Sequence, residues 1–419
     1  MMRLCLWLGF VAITLVASAR AADLPGAWVE LASDGGLDVR SVTTPGAPCP
    51  KVVADGADLA STPRGTPDAA GGVYPVQVCV AHAAATAHSL SVGGLPAPVL
   101  PHAIRRVVVI GDTGCRIKGT FVQDCNDPVA WPFATIARLA AARHPDLVIH
   151  VGDYHYRESP CPADRAGCAG SPYGDTWAAW QKDFFDPAAP LLAAAPWVLV
   201  RGNHELCDRG GHGWFRLLDP HADAVDCRDT TTPYALHLDT LRLLMFDGAD
   251  ADDDTADPAK VALYRQQLQS LLAEAPVHSW LLTHRPFWAL VQGEDAKPGS
   301  TLNATEQAAI RDIVPSNLDM VLSGHIHDFT SYDFGPSHPA QLVVGEGGDS
   351  NQAITQPLAA GIVVDGAKLR RGFAIADYGY LVLHRTNEGW SGTVHAVNDR
   401  LLARCRLRAR ALTCRAVVQ

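Results

Sequence analysis

The chain has 419 residues, 48% of them hydrophobic and 19% charged, with a formal charge of −10 at pH 7. That is a folded globular composition with enough apolar material for a large core. The acidic balance excludes a general nucleic-acid binder, which would show a basic excess, so no nucleic-acid surface is expected.

Residues 1–21 read as a secretory signal peptide. Arg3 supplies the positive start, 4–16 form an apolar run of about thirteen residues, and Ala17-Ser18-Ala19 and Ala19-Arg20-Ala21 offer cleavage sites. The run is too short to span a bilayer, and no other stretch is long and apolar enough. The mature protein is therefore expected to be secreted or periplasmic, with no transmembrane anchor. Residues 22–102 are rich in Pro, Gly, Ala and Thr, with strand candidates at 28–31, 73–80 and 89–92. They predict a small all-β domain ending in the Pro-rich stretch 95–101.

From 103 to 419 strands and helices alternate. A helix is expected at 131–143, with Pro132 near its first turn and Phe133, Ile136, Leu139 and Ala140 as its apolar stripe. Two more are expected at 258–273 and 303–314. Asn303 with Glu306 reads as a helix cap and capping box rather than a glycosylation acceptor. The acidic run from Asp247 to Asp254 lacks the closing Glu of a calcium loop and reads as a solvated loop. After 341 the chain turns β-rich, through 373–384 and 390–397 to a final hairpin. There Arg404, Arg406 and Arg408 alternate with Cys405, Leu407 and Ala409, which predicts a strand with one wet face. The whole pattern predicts an α/β fold of two mixed sheets packed face to face with helices outside.

Five short motifs carry the chemistry: Gly111-Asp112-Thr113-Gly114, Gly152-Asp153-Tyr154-His155-Tyr156, Gly202-Asn203-His204-Glu205, Thr283-His284-Arg285-Pro286 and Gly324-His325-Ile326-His327. Each follows an apolar, β-rich run, so its polar residues fall just past the C-terminal end of a strand, where open α/β sheets bind ligands. Together they offer Asp, Tyr, Asn and His, unlike the Cys and His of a structural zinc site. That set suffices for two metals sharing one carboxylate, a device for displacement at phosphorus. A phenol must shed its proton to ligate, which requires a strongly acidic metal, and Fe(III) is the natural partner of Tyr156.

On these five motifs, from about Arg106 to Asn398, the chain resembles the calcineurin-like metallophosphoesterase superfamily. Tyr156, three residues after Asp153, is similar to the purple acid phosphatase-like branch. The resemblance implies a four-layer αββα sandwich. It implies Asp112, Tyr156 and His327 on Fe(III), Asn203, His284 and His325 on Zn, Fe or Mn, and Asp153 bridging the two. His204 would hydrogen-bond the phosphoryl group or protonate the leaving oxygen, and His155 and His212 are candidate substrate contacts. The implied activity is hydrolysis of phosphomonoesters by attack of a metal-bound hydroxide. The alternatives are a phosphodiesterase or nucleotide pyrophosphatase using the same site, or a non-catalytic member that binds a phospho-ligand or iron. The expected partner is a small phosphate ester, and the sequence leaves the oligomeric state open.

Removing Cys5 with the signal leaves ten of the 11 cysteines, an even number that reads as disulfides after export. Nearest-neighbour pairing gives Cys49–Cys79, Cys115–Cys125, Cys161–Cys168, Cys207–Cys227 and Cys405–Cys414. Three of these begin just after a metal motif and would brace the loops around the site. A cysteine zinc site is the alternative, but no Cys-x-x-Cys pair exists.

Overall fold

The computed structural model describes residues 26–417 apart from 223–224, 240, 274, 292–301, 314–316 and 353–357. The expected signal peptide lies outside the described residues.

Two sheets make the core. The first has eleven strands, with Arg106–Ile110, Leu147–His150 and Trp197–Leu199 parallel at its centre. On one side of these it continues through Gly379–Thr386, Gly389–Ala396, Leu401–Arg408 and Ala411–Ala416. The second sheet has seven strands, with Leu241–Met245, Ser279–Leu282, Leu318–Ser323 and Ala340–Val344 parallel at its centre.

Side chains alternate along each strand, so both faces of both sheets need cover. Val107, Val109, Ile149 and Val198 meet Leu243, Leu282, Leu322 and Leu342 between the sheets. Val108, Ile110 and Val148 pack outward against Phe133, Ile136 and Leu191 of the helices Phe133–Ala141 and Asp186–Leu192. Val321 and Val343 pack against Tyr264, Leu268 and Ile310 of the helices Pro258–Ala273 and Ala304–Ile310. This is the expected α/β arrangement of two sheets between helical layers. Among the described residues no helix is long and apolar enough to cross a membrane.

The amino-terminal segment is all β, but no boundary at residue 102 divides the sheets. Trp28–Leu31, Leu37–Thr43, Gln77–Ala83 and Ser61–Arg64 extend the first sheet, with Trp28–Leu31 parallel to Trp197–Leu199. Only Val52–Ala54, Ala57–Leu59, Leu90–Val92 and Leu95–Ala97 form a sheet of their own. The reason is burial on both faces: Val29 and Leu31 enter the core between the sheets, while Trp28 enters the helical layer. Buried Arg40 fastens these strands to the later chain, pairing with Glu30 at 2.8 Å and donating to the carbonyls of Leu217 (2.7 Å) and Asp219 (2.6 Å).

The strand expected at 373–384 is two strands in different sheets, Arg371–Ile375 in the second and Gly379–Thr386 in the first. The residues Ala376-Asp377-Tyr378 carry the chain across the sandwich. The first helix begins after Pro132, which holds its cap position. Asn303 caps its helix, accepting from the Glu306 backbone N–H at 3.1 Å. The disulfides join the five nearest-neighbour pairs.

Candidate metal centre

The motif residues converge at the C-terminal ends of the central strands of both sheets. Asp112, Asp153 and His325 have φ of 54°, 61° and 72°, a left-handed conformation that non-glycine residues rarely adopt. Such strain costs of order 1–3 kcal/mol each and concentrates at functional sites. The glycines beside them serve close approach. A Cβ on Gly152 would lie 2.4 Å from the His284 ring, one on Gly202 2.1 Å from Asp153 Oδ1, and one on Gly324 2.4 Å from Asp112 Oδ2.

Two donor groups meet at Asp153. In the first, the Tyr156 hydroxyl lies 3.1 Å from Asp112 Oδ1, 2.9 Å from Asp153 Oδ2 and 3.2 Å from His327 Nε2. In the second, His284 Nε2 lies 3.1 Å from Asn203 Oδ1 and 3.1 Å from the same Asp153 Oδ2. His325 completes that group, since donor atoms of Asp153, His284 and His325 fall within 4.8 Å of one another. The seven expected ligands are thus brought together as two sets sharing one carboxylate oxygen.

The electrostatics fit cations. Burial pushes the Asp112 carboxyl well above its ordinary range, and the neighbouring Asp153 adds to this. Burial raises the Tyr156 phenol too, again with Asp153 and Asp112. Burial works against the Asp153 charge as well, yet His284 and His204 hold its carboxyl well below the usual range. Burial lowers the imidazoles of His325, to about 4, and of His327, keeping both neutral as ligation requires. Three acidic groups that repel one another when ionised, beside neutral imidazoles, are a set that positive ions would complete.

Carboxylates and carbonyls fix the ring orientations from behind. The Val151 carbonyl lies 2.8 Å from His284 Nδ1, so that ring faces the centre with Nε2. Asp349 Oδ2 lies 3.3 Å from His327 Nδ1, and Arg116 Nε holds Asp349 at 2.9 Å. The Arg116 guanidinium also lies 4.9 Å from the centroid of the Tyr156 ring. Both oxygens of Asp253 lie 3.2 Å from His325 Nε2, leaving Nδ1 for the centre, and Arg285 Nε holds Asp253 at 2.7 Å. The acidic run is therefore not simply a solvated loop. Asp253 reaches into the site, and Asp247 is buried, with its Oδ2 3.3 Å from Arg201 and 2.8 Å from the Thr231 hydroxyl. Glu205, to which the motif alone assigns no role, accepts from the backbone N–H groups of Gly202, Asp153, Tyr154 and His155 at 2.8–3.2 Å. Its only sequence signal is its place directly after His204.

His204 stands over the centre, its ring 3.7 Å from that of Tyr156 and its Nε2 3.8 Å from Asp153 Oδ2. Glu158 Oε1 holds its Nδ1 at 2.6 Å, and Arg209 Nη2 lies 2.7 Å from Nε2. Burial works against the Glu158 charge, but His204 and Arg209 keep its carboxyl below the usual range. Burial pushes the His204 imidazole down to about 3, although Asp153 opposes the shift. The neutral ring gives its one N–H to Glu158 and accepts from Arg209 at Nε2, so donating to a phosphoryl oxygen or protonating a leaving group both need the protonated form that Glu158 favours.

Of the two other histidines, His155 is placed differently from expectation. His155 is fully buried, with its ring stacked 5.7 Å from Trp180 and its Nδ1 3.7 Å from Asp183, so it has no surface to offer a substrate. His212 is exposed on the helix Gly211–Leu217, and its backbone N–H bonds Asp175 Oδ2 at 2.8 Å.

Two facing sheets with a mixed Asp, Tyr, Asn and His cluster at their strand ends define a metallophosphoesterase. The chain belongs to the calcineurin-like phosphoesterase family, whose model matches residues 105–329, and it is a metal-dependent phosphoester hydrolase. Its fold is similar to that of a purple acid phosphatase from yellow lupin (Lupinus luteus) seeds, with a TM-score of 0.61 and 13% identity, covering 93% of this chain and 74% of that one. It is also similar to PhoD, with a TM-score of 0.57 and 13% identity, covering 96% of this chain and 94% of that one. No curated protein matches the sequence significantly.

Proposed function

We propose that this chain is an exported phosphatase that hydrolyses phosphomonoesters at a binuclear centre. The observation that carries the reading is Asp153 Oδ2, which lies 2.9 Å from the Tyr156 hydroxyl and 3.1 Å from His284 Nε2 and so belongs to both donor sets. Asp112, Tyr156 and His327 would hold Fe(III), because a buried phenol ligates only a strongly acidic ion. Asn203, His284 and His325 would hold Zn, Fe or Mn. When bound, the two ions supply Lewis acidity to the phosphoryl group and to the attacking water.

The chain's own residues do the rest. Asp153 presents negative charge on one wall, and Tyr156 would add to it only on giving up its proton to a bound cation. Arg209 and, once protonated, His204 present donors on another, where negative charge on the phosphoryl oxygens would meet them. Glu158 keeps the His204 ring in place, so a proton carried there can pass to the leaving oxygen. The five disulfides support an oxidising compartment.

The test is a panel of monoesters, diesters and nucleotide anhydrides offered to metal-loaded protein. The proposal expects kcat/KM to be highest for monoesters by about tenfold or more, a gap of ~1.4 kcal/mol in transition-state binding. Exclusive cleavage of diesters or anhydrides would overturn the choice of substrate, and no turnover of any ester would favour a binding role.

A further inference from the structure

The carboxy-terminal strands present a basic face that the metal centre does not use. Arg404 and Arg406 on Leu401–Arg408 and Arg415 on Ala411–Ala416 are exposed on the same side of the first sheet. The opposite side, with Leu407 and Leu412, enters the core between the sheets. Register places Arg404 directly across from Arg415, and Arg406 across from Thr413 and Ser391. Like charges directly opposed on a sheet destabilise it. No side-chain hydrogen bond or ion pair joins Arg404, Arg406 or Arg415 to a described residue. The nearby acids are taken: Glu388 by Arg408, Asp399 by Arg143, and Asp333 by Arg371 at 3.2 Å. One charge on the edge strand would discourage strand addition. Three unneutralised arginines on a chain of formal charge −10 exceed that need.

The face is also concave. A groove of about 700 Å³ is lined by Arg371, Arg404, Arg406 and Arg415 with Ser391, Thr393 and Thr413. It shares Thr393 and Arg404 with a second groove of about 440 Å³ that reaches His384 and Arg106. Arg106 begins the central strand whose far end leads to Asp112, so the groove lies roughly 20 Å from the metal centre at ~3.3 Å per residue.

We propose that this face docks an extended polyphosphate chain. The charge is complementary. The arginines repeat about 5 Å apart across the strands and about 7 Å apart along them, so one narrow chain of closely spaced phosphates can engage all of them. Neither groove is lined by Phe, Tyr or Trp, the strongest platforms for stacked bases. None of the exposed large hydrophobic residues lies in either groove, so the face has nothing to insert into a lipid surface.

The experiment uses the intact, metal-loaded protein and fluorescently labelled long-chain inorganic polyphosphate, with excess orthophosphate to occupy the metal centre. Saturable binding that weakens steeply with salt is expected. Joint Arg404→Gln, Arg406→Gln and Arg415→Gln substitution should weaken it by about tenfold or more. The melting temperature should hold or rise, because opposed charges are removed. If the joint variant fails to fold, the single variants decide: Arg404→Gln should weaken binding and Arg404→Lys should retain most of it. The proposal is overturned if wild-type protein does not bind polyphosphate, or if the charge-neutral variants bind as well as wild type. It is equally overturned if single-stranded DNA or anionic vesicles bind as tightly.

Discussion

Substituting Asp253→Asn tests how far the second donor set depends on a residue outside the motifs. The Asp253 carboxylate lies 3.2 Å from His325 Nε2 through both oxygens, and Arg285 holds it from the other side at 2.7 Å. Burial works against its charge, but His325 and Arg285 keep its carboxyl well below the usual range. Asparagine keeps the volume and removes the charge. The His325 ring then loses its charged partner, and the Arg285 cation is left facing a cation site. Loss of a carboxylate behind a ligating histidine weakens metal binding by about 10–100-fold, or ~1.4–2.7 kcal/mol. The Asp253 side chain is 26% exposed, which screens the interaction, while the uncompensated Arg285 works in the other direction. The loss should fall within that range and at the Asn203 site alone. Competition against a chromophoric chelator resolves the two sites. Equal weakening of both sites, or no change at either, would refute the assignment of Asp253 to His325.

Glu205→Ala leaves four backbone N–H groups without their acceptor, at about 1–3 kcal/mol for each that stays buried and unsatisfied. A stability loss above about 4 kcal/mol is expected in denaturant unfolding, with a smaller loss for Glu205→Gln, and a loss below about 1 kcal/mol would contradict this role. His204→Ala should lower kcat by roughly 100-fold or more, most for poor leaving groups, while metal content holds. Unchanged turnover across a leaving-group series would remove His204 from the mechanism. Arg116→Gln removes the cation 4.9 Å from the Tyr156 ring centroid. Without that cation the phenolate is less stabilised, so an iron–phenolate absorption should move to longer wavelength. An unmoved band would show that the guanidinium does not act on the ligand.

The donor cluster was legible because each of its residues sits in a local pattern. An apolar strand such as 106–110 or 147–150 runs into a turn, and glycine stands where a Cβ would strike the centre, as at Gly152 and Gly202. The disulfides were legible because partners lie only 7–30 residues apart. Asp253, Asp349 and Glu158 were not, because each meets its histidine only through tertiary packing. Asp253 lies 72 residues from His325, and no local spacing marks the pair. His155 looked available because it neighbours Tyr156, but its ring turns into the aromatic cluster around Trp180. The amino-terminal strands read as a separate unit because their composition differs. Their place in the first sheet depends on non-local contacts, such as Arg40 with the Leu217 and Asp219 carbonyls.

Metal analysis of the purified protein, read together with its visible spectrum, tests the central claim most directly. The account predicts two metal ions per chain, at least one of them iron. It also predicts a phenolate-to-iron absorption that Tyr156→Phe abolishes. An active protein that holds a single ion, or one that is iron-free and colourless, would contradict it.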